Sequence, residues 1–135
     1  MNLSFHRRAA RLTGRRSAFT LVEIMIVVLI IGLLAMIAIP NVKRALERAR
    51  LQAIRVNLRT IDSVKTQWAA ENKKGGNETP TESDLAPFFN GSKFPTPVVG
   101  ETYQINNVDS PPTAITQSKL LDVPVGGTIT MDEGK

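Results

Sequence analysis

The chain has no cysteine and a single histidine, His6, among its 135 residues. The lack of cysteine excludes a disulfide framework, a thiolate metal site and a cysteine nucleophile. A metal-binding pair of histidines is excluded as well, and the sequence contains no nucleophile elbow, phosphate-binding loop or dinucleotide fingerprint. We therefore do not expect an enzyme, and we expect no catalytic residue and no cofactor.

The net charge of +5 is unevenly distributed along the chain. Residues 1–18 hold five arginines and no acid, and residues 41–74 carry a net charge of +6. Residues 75–135 carry −5, so without its first 18 residues the chain has as many acidic as basic side chains. Because the positive charge is confined to two segments, nucleic acid is not expected as a general partner.

The longest apolar run, FTLVEIMIVVLIIGLLAMIAI, covers residues 19–39 and is followed by Pro40. As a helix it rises about 32 Å, against about 30 Å for the hydrocarbon core of a bilayer. It is too long for the apolar region of a secretory signal peptide, and no small-x-small cleavage site closes it. The preceding arginines predict a single membrane span with a cytoplasmic N-terminus.

Glu23 is the one ionisable residue inside this run. An ionised carboxylate in a membrane costs about 2–3 kcal/mol or more without a partner, so it indicates a functional site. The alternative is that Glu23 reaches the interface from near the helix end. Gly32 and Pro40 weaken the helix, and we expect a kink at Pro40, which lacks a backbone donor.

The sequence AFTLVE at residues 18–23 follows an arginine-rich segment and precedes the apolar run and the sequence IPN at residues 39–41. This combination resembles the N-terminal signature of type IV pilins and type II secretion pseudopilins. In that family a membrane prepilin peptidase cuts before the phenylalanine and methylates the new amine. The resemblance places the cut between Ala18 and Phe19. The family prefers glycine before the cut, so Ala18 is a departure, although alanine is also small.

The resemblance implies a structural subunit of a type II secretion pseudopilus or a type IV pilus. Glu23 becomes an assembly residue whose carboxylate meets the Phe19 amine of a neighbouring subunit, and the helix between Gly32 and Pro40 loses helicity on packing. The implied partners are prepilin peptidase, further copies of the chain, other pilin-like subunits, the inner-membrane assembly platform and the bilayer. The implied location is the inner membrane and then a periplasmic or extracellular filament.

Four segments are expected: a basic leader at 1–18, the filament-core helix at 19–40, an amphipathic continuation helix at 41–74 and a loop-rich head at 75–135. In the third, an apolar stripe predicts a helix packed on the head. We expect that helix to end near residues 73–76, with glycine just past its end. The stripe comprises Ile54, Leu58, Ile61, Val64 and Trp68, extended by Val42, Leu46, Ala49 and Ala53, while Arg44, Arg48, Arg55, Arg59 and Lys65 are expected mostly on solvated faces.

In the head, Thr81 or Ser83 is expected to cap a short helix with Asp84 in its first turn. Strand candidates lie at 102–105, 114–116 and 127–131, separated by prolines. The predicted fold class is α+β, with a long N-terminal helix and a small antiparallel sheet. By charge, this acidic head could complement the basic helices of adjacent subunits.

Other interpretations remain open. One is an unprocessed, signal-anchored protein with a periplasmic binding head. Another is a DNA-uptake pilin that contacts phosphates through basic residues between Arg44 and Arg59. Calcium is a further alternative, since Asp132 and Glu133 with Asp122 or Asp109 could offer oxygen ligands.

Overall fold

The computed structural model describes residues 18–132. In chain order its elements are helix α1 (Leu21–Asn72), helix α2 (Glu82–Leu85), a 3-10 helix (Ala86–Phe88) and strands β1 (Thr102–Gln104), β2 (Thr113–Ile115) and β3 (Thr128–Ile129). The strands form one antiparallel sheet in the order β1-β2-β3. The predicted α+β, pilin-like fold class is confirmed. Apart from Ala18, the predicted leader lies outside the described residues.

The chain divides into two compact units between Ala38 and Ile39. In the first unit the apolar side chains of α1 are exposed, including Leu21 at 76% and Leu29 at 64%. By length and composition, α1 is the one helix among the described residues that could cross a membrane. The helix bounds include Gly32 and Pro40. The kink expected at Pro40 stays a prediction.

In the second unit, five residues of the predicted stripe lie in the hydrophobic core, from Ile54 to Trp68. Ile54, Leu58 and Ile61 are fully buried, and Trp68 is 8% exposed. They pack with side chains from α2 and the sheet, because apolar residues at helical spacing share one face. The buried partners from the head are Leu85, Phe89, Tyr103, Ala114, Leu120 and Ile129.

Two details of the predicted helix are wrong. Lys65 is fully buried rather than solvated, because it lies four residues after Ile61 on the core face and its ammonium finds polar partners there. Val42 and Leu46, expected to extend the buried stripe, are 64% and 51% exposed. The head packs on the helix only from Leu51 onward.

The C-terminus of α1 uses a lysine where glycine was expected. Lys73 has φ of 51°, the left-handed conformation that ends many helices. The Lys74 amide then donates to the Ala69 carbonyl at 2.9 Å, which is the six-residue bond of a Schellman motif. The helix therefore stops before Gly75.

The sheet is a short meander with one buried position per strand. Tyr103 is paired with Ala114, and Ala114 with Ile129, so the three side chains lie in register on the core face. After β2, the Gly126 amide donates to the Thr116 carbonyl at 2.8 Å, and Gly126 has a φ of 76°. A turn at Gly126 thus returns the chain for β3. The strands lie close to the predicted positions: β1 and β3 are shorter than predicted, and β2 is shifted by one residue.

Helix α2 begins with a complete capping box. The Thr81 hydroxyl accepts from the Asp84 amide at 3.3 Å, and the Asp84 carboxylate accepts from the Thr81 amide at 2.8 Å. The Thr81 hydroxyl also donates to the Asp84 carboxylate at 2.7 Å, and the bonds from this hydroxyl and from the Thr81 amide lower the pKa of Asp84. The box fixes the start of the turn that places Leu85 in the core.

A Thr81→Ala variant is expected to destabilise the head by about 1 kcal/mol, since it removes the side chain that caps α2. The unfolding midpoint in urea can be followed by the fluorescence of Trp68, the only tryptophan. Ser83→Ala, at an exposed position inside α2, is the matched control and is expected to change the midpoint little. Equal midpoints for Thr81→Ala and the unmodified chain would contradict a stabilising cap.

Candidate functional site

The predicted processing site lies in a non-helical segment before α1. Residues 18–20 have no regular secondary structure and are exposed, with Phe19 80% exposed. A peptidase must reach the backbone in an open conformation, and this segment offers one. The bond between Ala18 and Phe19 is therefore accessible.

Glu23 and Thr20 form a reciprocal hydrogen-bonded pair at the start of α1. The Thr20 amide and hydroxyl donate to the Glu23 Oε2 atom at 2.8 and 3.1 Å. The Glu23 amide in turn donates to the Thr20 hydroxyl at 3.2 Å. This is the geometry of a capping box, in which Thr20 is the cap and Glu23 the third helical residue.

The capping box holds the carboxylate of Glu23 at the N-terminal end of its own helix. That end carries the positive pole of the helix dipole, which stabilises a negative charge. The carboxylate is thus directed towards the residues next to Phe19 and away from the apolar length of α1. A cation brought to this end of the helix would meet a charged oxygen already oriented.

The sequence-based prediction gave Glu23 a partner in another subunit and missed its local partner, Thr20. The available signal was the spacing from Thr20 to Glu23, since threonine followed three residues later by glutamate before an apolar run is a capping-box signature. Ala18, Phe19, Thr20 and Glu23 lie together at this helix end. The structure places Gly32 in open surroundings: apart from its chain neighbours and the nearby backbone of its own helix, no atom lies within 4 Å of an added Cβ.

The head contains a buried polar chain that links α1 to the sheet. Asn57 on α1 donates to the Tyr103 hydroxyl at 2.8 Å, and Tyr103 donates to the Glu101 Oε1 atom at 2.5 Å. The Glu101 carboxylate also accepts from the Val98 and Val99 amides at 2.9 Å. Asn57, Tyr103 and Glu101 therefore all have hydrogen-bond partners, and the bonds to Glu101 stabilise the loop before β1.

The protonation states of Glu101 and Tyr103 follow from burial and from the hydrogen bonds that join them. Burial raises the pKa of Glu101, but the bonds from Tyr103 and from the Val99 and Val98 amides outweigh it and lower the pKa overall. Burial and the bond to Glu101 raise the pKa of Tyr103. Glu101 is thus an anion and Tyr103 a neutral donor at neutral pH.

The head is expected to lose stability in acid through Glu101. Because the folded-state pKa lies below the ordinary value of 4.5, the stabilisation is present above that value and is lost as pH falls through the folded pKa. Urea midpoints measured from pH 7 down to about pH 3 test this sign. Glu101→Gln is expected to lose about 2 kcal/mol at pH 7 and to show a weaker acid dependence. An unchanged acid dependence would contradict the role of Glu101.

Lys65 is held by backbone carbonyls of the loop between β1 and β2. Its Nζ donates to the Ile105, Asn107 and Ser110 oxygens at 3.1, 2.9 and 2.5 Å. The Asp62 carboxylate lies 3.7 Å away. Burial lowers the pKa of Lys65, and Asp62 opposes that shift. The lysine is a structural cation.

Within residues 18–132 there is no group of three or more histidine, cysteine or acidic side chains that could hold a metal ion. Glu133, named above for calcium, lies outside the described residues. The geometry provides a carboxylate held at a helix end, an exposed apolar helix, and a small head whose buried Glu101, Tyr103 and Lys65 side chains are hydrogen-bonded. That combination is a pilin-like fold with one candidate membrane span among the described residues.

Comparison with known proteins agrees with this class. Residues 13–39 match the family model described as "Prokaryotic N-terminal methylation motif". The chain is 37% identical over 67 residues to the type IV major pilin protein PilA of Myxococcus xanthus (strain DK1622), a match that covers 50% of this chain. It covers only 30% of that protein's length. No solved structure matches the chain significantly. The resemblance to the type IV pilin family is confirmed.

Proposed function

We propose that this chain is the precursor of a filament subunit, which prepilin peptidase cuts between Ala18 and Phe19 and methylates on the new Phe19 amine. The observation that carries the proposal is the methylation motif at residues 13–39, which lies in register with a capped Glu23 and an exposed apolar helix. An apolar helix that its own chain leaves uncovered needs either lipid or other helices around it. The membrane surrounds the helix with lipid before assembly, and the filament core surrounds it with other helices afterwards.

The membrane stage follows from charge and length. The five arginines before the apolar run favour a cytoplasmic N-terminus, and the run itself is long enough to span the inner membrane. The head then lies on the periplasmic side. Its partners at this stage are the bilayer, the peptidase and the inner-membrane assembly platform.

The filament stage uses the end of α1. Cleavage creates a cation at Phe19, and the Thr20 cap orients the Glu23 carboxylate at the same helix end. Pairing of this carboxylate with the Phe19 amine of another copy removes two charges from an apolar bundle. The similarity to a major pilin supports a type IV pilus, and a type II secretion pseudopilus uses the same chemistry. The role is mechanical, with no catalytic step.

The decisive experiment is the N-terminal mass and sequence of the protein purified from its native membrane. The expected mature chain begins at Phe19 and carries one extra methyl group on its amine. Replacement of Ala18 by tryptophan is expected to block cleavage through bulk, whereas Ala18→Gly is expected to preserve it. A chain that still begins at Met1 would overturn the proposal in favour of a signal-anchored protein.

A further inference from the structure

The part of α1 that follows the apolar run exposes a second apolar surface. Val42, Leu46 and Val56 are 64%, 51% and 49% exposed. Together with Ala49 they recur at i, i+4, i+7 and i+14, which places them on one side of the helix. We call these four residues the apolar stripe; this exposed surface is distinct from the buried core stripe that runs from Ile54 to Trp68. An exposed apolar surface of this kind marks a contact with another molecule.

Exposed cations flank the apolar stripe on both sides. At about 100° per residue, Lys43 and Arg50 lie on one adjoining face of the helix, and Arg44 and Arg48, which are four residues apart, share the other, with Arg44 furthest from the stripe. All four are exposed, and none has an ion-pair partner among residues 18–132. An apolar centre with a charged rim is the usual composition of a protein contact.

Neither the chain's own head nor a bilayer covers this surface. The head packs on α1 from Leu51 onward, against the face formed by Ile54, Leu58 and Ile61. Val56 lies 17 residues beyond Ile39, which is about 25 Å along a helix. The head-group layer of a bilayer is only about 5–8 Å thick on each side. If residues 19–39 span the membrane, most of the apolar stripe lies beyond the lipid.

The head carries charge of the opposite sign. Glu78, Glu82 and Asp84 are exposed, and no basic residue occurs from 75 to 92. Lys74 lies close enough to Asp84 to lower the pKa of its carboxyl slightly, after the larger effect of the Thr81 cap. We call Glu78, Glu82 and Asp84 the acidic loop.

We propose that the apolar stripe and its flanking cations are the docking surface for the head of a second copy of this chain, with Arg44 and Arg48 pairing with the acidic loop. The inference rests on the proposed filament function and adds a contact that is separate from Glu23. Electrostatic complementarity of this kind fixes register and disfavours wrong neighbours. The contact also covers apolar side chains that the isolated chain leaves in water.

Charge reversal tests the pairing in the full chain in its native host. Arg44→Glu combined with Arg48→Glu is expected to lower the ratio of sheared filaments to membrane-bound subunit by about tenfold or more, as like charges then face each other. Adding Glu78→Arg and Glu82→Arg to the same chain is expected to restore the ratio. Both pairs are exposed, so the fold is retained, as unchanged Trp68 fluorescence would show. Failure of the second pair to restore assembly overturns the proposal.

Cysteine cross-linking supplies an independent readout, because the chain has no cysteine of its own. Chains carrying Arg48→Cys and Glu82→Cys, expressed together, are expected to form a covalent dimer with a short bismaleimide. Neither variant expressed alone is expected to do so. Absence of the dimer in assembled filaments overturns the docking surface.

Two controls separate this inference from the proposed function. If the wild-type chain forms no filaments in the same host, the proposed function itself is wrong. If instead the Arg44→Glu, Arg48→Glu chain assembles normally but no longer binds vesicles containing phosphatidylglycerol, the two arginines contact lipid. The proposed contact with a second copy is then wrong.

Discussion

Chains with Glu23→Gln are expected to be inserted in the membrane and processed, and to be missing from filaments. Glutamine keeps an oxygen that accepts from the Thr20 amide, so the helix cap is retained and the charge alone is removed. Leaving the Phe19 amine without a counter-charge in an apolar bundle costs about 3–5 kcal/mol. That is more than about a hundredfold in an equilibrium constant, so filaments should fall below detection.

Thr20→Ala is the matched control for Glu23→Gln. It removes the cap hydroxyl and leaves the carboxylate charged, which costs about 1 kcal/mol of helix stability. We expect filaments in reduced amount from this variant. The measurement is the ratio of sheared filaments to membrane-bound subunit, with N-terminal sequencing to confirm processing. Normal filaments from Glu23→Gln would show that the carboxylate charge has no part in assembly.

Replacement of Lys65 by methionine is expected to destabilise the head by about 3 kcal/mol or more. Methionine fills a similar volume, but three backbone carbonyls of half-buried residues lose their donor and the loop between β1 and β2 loses its attachment to α1. A small domain has only about 5–15 kcal/mol of total stability, so this is a large fraction. Urea unfolding of the detergent-solubilised full chain, followed by Trp68 fluorescence, gives the value.

Lys119→Met serves as the surface control, since Lys119 is exposed and its removal is expected to change stability by less than about 0.5 kcal/mol. Hydrogen exchange adds a local readout, because amides near residues 105–110 should lose protection first in Lys65→Met. If Lys65→Met unfolds at the same urea concentration as Lys119→Met, the carbonyl contacts of Lys65 contribute nothing to stability.

The helices and the approximate strands could be predicted from local pattern. The stripe from Ile54 to Trp68 has a clear helical period, and the prolines and glycines of the head bound its short strands. A cap at Thr81 or Ser83 was predicted for the same reason, and the structure identifies Thr81, whose partner Asp84 is only three residues away. Helical periods, turns and caps depend on residues that are close together in the sequence, so they can be predicted from it.

The interior of the head could not be predicted in this way. Lys65 is buried because carbonyls 40 or more residues away converge on it, and no periodicity reports such a contact. The chain from Asn57 through Tyr103 to Glu101 also joins distant segments. At the N-terminus, the capping role of Glu23 is local and follows from its spacing to Thr20.

The brevity of the strands has a consequence for a molecule that works at high local density. The outer strands β1 and β3 contain only three and two residues. Edges of this length offer too few unpaired backbone groups for one sheet to extend into another. In the proposed filament, heads that lie side by side would therefore be protected from fusing into cross-β aggregates.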